Sequence, residues 1–278
     1  VKAHHKISST SGDLVPDPLN NRDEFGNGAA SPGDLNGDGV KDLVVGAWGD
    51  DGSGKDRGAV YCLFLDTNGT VKSYSTILPV HLGLTQSKAF FGTSVSAMGD
   101  VNGDGVPDVM IGAYLYDDLI EDKKDVGASY LTFLRSDGSV LSSQVFTTST
   151  PGFTGDLVLN ERDHFGVDAV PFLDIDDDCV NELIIGSRKD DPQSPALFTT
   201  EDVGAFWVLK LDDANLSPAL GGATSKSSIS DKAAQQPVAL EPQKDWDMRI
   251  DEVWNDVAIE LYPNPTEGNF EIDITTNT

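Results

Sequence analysis

Three times in this chain a Phe-Gly pair precedes, at one fixed distance, a nine-residue acidic loop and then Gly-Ala or Gly-Ser. The loops are Asp34–Asp42 (DLNGDGVKD), Asp100–Asp108 (DVNGDGVPD) and Asp174–Glu182 (DIDDDCVNE). Phe25, Phe91 and Phe165 each lie nine residues before the first Asp, and Gly46, Gly112 and Gly186 each lie four residues after the last acid. Constant offsets in three copies define a repeat architecture with one cation loop per repeat.

The loop chemistry points to Ca²⁺. Oxygen-bearing side chains at positions 1, 3 and 5 alternate with residues that turn the chain. They are Asp34, Asn36 and Asp38; Asp100, Asn102 and Asp104; Asp174, Asp176 and Asp178. Position 6 is Gly in the first two loops, where a tight turn needs a positive φ. Position 7 is Val40, Val106 or Val180, which offers a backbone carbonyl, and position 9 is a carboxylate, Asp42, Asp108 or Glu182, that can close the shell. Hard oxygen donors without His or Cys suit Ca²⁺, which takes roughly 6–8 oxygens, better than Mg²⁺, which keeps its waters.

Two other calcium loops begin this way and are excluded. EF-hand and dockerin-type loops need an acid at position 12; here that position holds Val45, Ile111 and Ile185. No amphipathic helix flanks a loop. Each loop runs instead into a β-branched apolar stretch that ends in a small residue, the pattern of a buried strand.

Phe-Gly, the D-x-(N/D)-x-D-G-x-x-D loop and Gly-Ala together resemble the FG-GAP repeat of integrin α-chain β-propellers and many bacterial surface proteins. The resemblance covers about residues 1–220. It implies an all-β fold of four-stranded antiparallel propeller blades with calcium in a hairpin loop. Blades are expected near 25–78, 91–147 and 165–220. The third loop departs from the pattern, with Cys179 in place of Gly and Glu182 in place of Asp. The Pro of the motif is replaced by Trp48, Tyr114 and Arg188.

The remaining segments fit a four-stranded blade. Small-residue inner strands follow Phe-Gly, at Gly26–Gly33 and Gly92–Gly99. Third strands, apolar almost throughout, are expected at Gly58–Leu65, Gly127–Leu134 and Gly204–Leu211, because stacked blades cover both faces of a central strand. Polar outer strands follow at Val71–Leu78 and Val140–Thr147. Residues 1–8 match Val71–Ile77 in pattern and predict the outer strand of a preceding blade, so the chain reads as a fragment of a larger propeller; the alternative is an open arc whose N-terminal strand completes the last blade.

Composition turns to Ser, Ala, Asp, Gln and Pro after Leu211, and residues 221–255 read as a linker. Strand alternation returns over 256–278. Tyr262-Pro-Asn-Pro-Thr266, with Gly268 and Phe270, resembles the start of the C-terminal sorting domain of type IX secretion. That resemblance implies a small β-sandwich, passage through the secretion machinery, and an extracellular or outer-surface location.

The chain holds 46 Asp and Glu against 19 Lys and Arg, a formal net charge of −27. Such a balance argues against nucleic acid or an anionic membrane as partner. No apolar run is long enough to span a bilayer. Two Cys in different repeats, Cys62 and Cys179, do not suggest a disulfide. Catalytic constellations are missing: there is no Gly-x-Ser-x-Gly, His-Glu-x-x-His or Cys-x-x-Cys. His4 and His5 are adjacent and would face opposite sides of a strand. His164 reads as a surface or turn residue. No enzymatic role is expected of these residues.

An Asp pair follows each Gly-Ala or Gly-Ser, at 50–51, 117–118 and 190–191, and reads as an Asx turn more readily than as a ligand site. The loops that these pairs open lengthen along the chain and carry Trp48, Tyr114 and Tyr116, the candidate ligand-binding residues. The reading is a secreted or surface calcium-binding β-propeller that acts as a binding or adhesion module for a protein or glycan. Two alternatives stay open: accessory repeats of a secreted hydrolase or polysaccharide-degrading enzyme whose catalytic part is not in this chain, and a calcium-rigidified spacer.

Overall fold

The computed structural model describes residues 4–14, 19–151, 159–172, 175, 181–190, 203–211, 257–263 and 270–276. The chain divides into two compact units, Val1–Thr224 and Ser225–Thr278.

The first unit is built from antiparallel sheets in chain order. Strands β1 (Phe25–Gly33), β2 (Asp42–Ala47), β3 (Ala59–Leu65) and β4 (Val71–Ile77) form one sheet in the order β1-β2-β3-β4. Strands β5 (Phe91–Gly99), β6 (Asp108–Ala113), β7 (Ala128–Leu134) and β8 (Val140–Phe146) form a second in the same order. In the third repeat β9 (Phe165–Pro171), β10 (Leu183–Ser187) and β11 (Ala205–Leu209) pair as β9-β10-β11. A fourth strand was expected there; the segment that follows Leu211 lies outside the described residues. Each acidic loop joins the first strand of its sheet to the second, and the first two sheets are four-stranded antiparallel blades.

Burial follows the stacking of sheets. Strand β7 is buried along its whole length and β3 along all but its last residue, so neither alternates. Val44, Val60, Cys62 and Ile77 of the first blade pack with Phe91, Ile111, Tyr130 and Leu134 of the second. Met110, Leu131 and Phe133 pack in turn with Phe165, Leu183 and Ile185 of the third. Cys62 is a free, buried thiol that burial pushes up to about 12.

The same glycines recur at the blade junctions. A Cβ on Gly46 would overlap the Gly92 carbonyl oxygen, and one on Gly112 would overlap that of Gly166. The Gly of Gly-Ala in one blade therefore receives the Phe-Gly corner of the next. Backbone bonds close the junction: Phe91 N–H donates to Arg57 O at 3.1 Å and Phe165 N–H donates to Val126 O at 2.9 Å.

The N-terminal segment differs from expectation. Residues 4–14 form no strand; a tight turn pairs Ser8 with Ser11. The Val71 N–H donates to Gly12 O, and Leu14 is buried with Ile7 and Leu19 over Val45, Tyr61 and Leu63. The segment thus covers the free apolar face of the first blade. Burying that face outweighs the few hydrogen bonds that a lone outer strand would make.

In the second unit β12 (Val257–Pro263) and β13 (Phe270–Thr276) form an antiparallel hairpin, with Val257 opposite Thr276 and Pro263 opposite Phe270. Among the described residues no helix is long and apolar enough to cross a membrane.

Candidate metal loops and binding rim

The first two acidic loops share most of their bonding. Asp34 Oδ1 accepts from the N–H groups of Gly37 and Asp38, and its Oδ2 accepts from Gly39 N–H at 2.7 Å. In the second loop Asp100 accepts from Asp104 and Gly105 N–H. The position 5 carboxylates, Asp38 and Asp104, accept from Val40 and Val106 N–H at 2.9 and 2.8 Å. Asn36 and Asn102 each bond the following Asp through both amide atoms. Gly39 and Gly105, at position 6, have φ of 87° and 88°, as that turn requires.

Position 9 differs from the others. Asp42 and Asp108 are 0% exposed. Asp42 bridges Leu35 N–H and Leu65 N–H, and Asp108 bridges Val101 N–H and Leu134 N–H, so each pins its loop to the third strand. Among the described residues no Lys or Arg forms an ion pair with either. Burial pushes the Asp108 carboxyl up to about 6 against two amide bonds, and the charges of Asp104 and Asp100 push the same way. Asp42 is raised by burial, against amide bonds, and by the charges of Asp38 and Asp34.

This donor set fits a calcium ion. Each of the first two loops gathers three carboxylates, only oxygen is offered, and each carboxylate has about four lone-pair sites, of which amides use one to three. As placed, no group of three or more Asp, Glu, His or Cys among the described residues stands at metal-holding distance. The amides bend the loop and orient its carboxylates, and a cation would draw these together. In the third loop Asp174, Asp176, Asp178 and Val180 lie outside the described residues. Glu182 is fully buried, its Oε2 accepts from Ile175 N–H at 2.8 Å, and its Oε1 has no hydrogen-bond partner.

The opposite connections, between second and third strands, hold the aromatic candidates. Trp48 stacks edge-on against Phe90 at 4.7 Å, Phe90 meets Tyr114 at 5.7 Å, and Tyr114 meets His164 at 5.3 Å. The Arg188 guanidinium sits 5.2 Å from the Tyr114 ring centre and 3.0 Å from His164 Nδ1. These residues make a half-buried rail across three blades. His164 is buried, not a surface residue, because Tyr114 covers it. Tyr116 packs inward against Tyr130 and both interblade cores.

The first two Asp pairs act as turn formers. Asp50 is buried, accepting from Gly52 N–H at 2.7 Å and from the Tyr61 hydroxyl at 2.6 Å. Asp118 is buried and accepts from the N–H groups of Ile120, Glu121 and Ser149. Two features escaped the sequence reading. The residue before Phe-Gly is left-handed in every repeat, with φ of 55° at Glu24, 56° at Phe90 and 58° at His164. The Asp118 clamp also holds Leu119 and Ile120 out to solvent, 71% and 81% exposed.

Comparison with known proteins matches these features. The FG-GAP repeat matches residues 91–132, and the FG-GAP-like repeat matches residues 34–111. The chain carries FG-GAP repeats. Its similarity extends to integrin α-chains. It is 37% identical over 90 residues to integrin alpha-5 of Xenopus laevis, covering 32% of this chain and 8% of that one. It is 31% identical over 158 residues to integrin alpha-3 of Cricetulus griseus, covering 56% of this chain and 13% of that one. Human integrin alpha-6 is 40% identical over 87 residues, 31% of this chain and 7% of its own. The matched segments thus span a small part of each integrin's length.

Proposed function

We propose that this FG-GAP chain is a calcium-braced, non-catalytic binding module that works outside the cell or on its surface. Calcium would be held by Asp34, Asn36, Asp38, the Val40 carbonyl and Asp42, and by Asp100, Asn102, Asp104, the Val106 carbonyl and Asp108. The third site would use Asp174, Asp176, Asp178, Val180 and Glu182. When bound, the ion supplies the positive charge that three mutually repelling carboxylates lack. The observation that carries this reading is the pair of fully buried carboxylates, Asp42 and Asp108, at one position of two like-built loops; neither carboxylate forms an ion pair with a Lys or Arg among the described residues.

The partner, a protein or glycan, would engage the loops between second and third strands. These loops vary in length on a fixed scaffold; they carry Trp48 and Tyr114, and the pinned Leu119–Ile120 tip offers a preorganised apolar contact. Likeness to integrin α-chains supports adhesion over an enzymatic role. The Tyr262 segment, which lies on one of two paired antiparallel strands, would direct export by type IX secretion.

The test is a glycan and extracellular-matrix array probed with wild type, Leu119→Ser/Ile120→Ser and Trp48→Ala/Tyr114→Ala. Both double variants should lose the signal of any bound member; Leu119→Ser/Ile120→Ser, at an exposed tip, should keep its melting curve near wild type, whereas Trp48→Ala/Tyr114→Ala also removes interblade ring contacts and should melt lower. Binding that survives both moves the site elsewhere.

A further inference from the structure

We propose that Lys72 is a tethered competitor that makes the first acidic loop a weaker cation site than the second. The proposal rests on the calcium reading above and names a residue that sets the affinity of that site.

Lys72 lies on β4, and its Nζ stands 3.0 Å from Asp38 Oδ2, the position 5 carboxylate. The same oxygen also accepts from Asn36 Nδ2 at 3.1 Å. In the second blade the corresponding residue is Leu141. The correspondence is fixed by register: Val71 pairs with Leu65 and Val140 with Leu134. Leu65 and Leu134 in turn donate to Asp42 and Asp108, each at 3.1 Å. Asp104 Oδ2 accepts from Asn102 Nδ2 at 3.0 Å, and among the described residues no ion pair reaches it. The loops differ again at position 8, where the first has Lys41 and the second Pro107. Both loops thus carry the same three carboxylates, but only the first has ammonium groups in and beside it.

A divalent cation that binds Asp38 must share or displace an ammonium already on that oxygen. The pair is solvent-exposed, with side-chain exposures of 52% and 25%, so water and salt screen most of the effect. Exposed pairs of this kind correspond to about a two- to fivefold change in affinity. The second loop has no such competitor and should fill first as Ca²⁺ rises.

The experiment is calorimetric Ca²⁺ titration of the full chain as wild type, Lys72→Leu, Lys72→Gln and Leu141→Lys. Asp104→Ala identifies the step that belongs to the second loop. Wild type should show unequal steps, the weaker from the first loop. Both Lys72 variants should tighten that step by about two- to fivefold, and Leu141→Lys should weaken the second-loop step by a similar factor. Melting temperature against Ca²⁺ concentration gives an independent readout of the same shifts. If Ca²⁺ binds but neither Lys72 variant changes its step, the competitor assignment is wrong and the calcium reading stands. If wild type takes up no Ca²⁺, both are overturned.

Discussion

At the scale of single residues, the junction glycines carry more of the fold than their size suggests. A methyl group on Gly112 would overlap both the Gly166 carbonyl and the Ser94 side chain, so the third blade's corner would have to move. Gly112→Ala should lower the urea midpoint by the equivalent of about 1–3 kcal/mol, the usual range for overpacking a tight contact. Asp118 gives a pH-dependent counterpart. Burial opposes its charge, but hydrogen bonds from Ser149, Glu121 and Ile120 outweigh that and hold its carboxyl below 3.8. A depressed folded-state pKa contributes stability that is fully present above the ordinary value and lost as pH falls through the folded one. Asp118→Asn places an amide against the Ser149 N–H and should cost about 1–3 kcal/mol at neutral pH. Chemical denaturation at several pH values checks this: the gap to wild type should narrow below about pH 4, and a gap independent of pH would refute the charge-based account. The glycines and the acidic loops were legible because residue identity itself repeats. The left-handed position before Phe-Gly was not legible, since Glu24, Phe90 and His164 share a backbone angle but no chemistry.

At the scale of elements, strands after the acidic loops and before the hairpin turns were readable because continuous apolar runs mark sheets covered on both faces. Those strands, β2, β3, β6 and β7, should hold the slowest-exchanging amides, ahead of β1 and β4, and hydrogen exchange measures it. Fast exchange in β7, the strand buried throughout, would contradict the stacked arrangement. The N-terminal strand was misread for a physical reason. Its alternation matched Val71–Ile77, but Ile7 and Leu14 find a larger apolar surface on the first blade than any strand partner offers. Tyr116 shows the same limit for loops: sequence marks an aromatic between strands, but only packing decides whether it faces solvent or, as here, Tyr130. Conversely Leu119 and Ile120, which no motif marks, are held outward by the Asp118 clamp.

At the scale of the whole molecule, the account turns on the coupling of metal to folding. The chain's net charge of −27 includes clusters of carboxylates drawn onto three short loops, each of which buries its last acid completely. Without a cation these clusters repel themselves; with one, binding energy becomes folding energy. A ligand at about one hundred times its dissociation constant adds about 2.7 kcal/mol of stability per site. The most direct test is the melting temperature of the full chain in millimolar Ca²⁺ and in chelator, for wild type and for Asp38→Ala and Asp104→Ala. Wild type should melt several degrees lower in chelator, and each variant should lose part of that difference. Identical melting curves with and without Ca²⁺ would contradict the account and leave the loops as hydrogen-bonded turns.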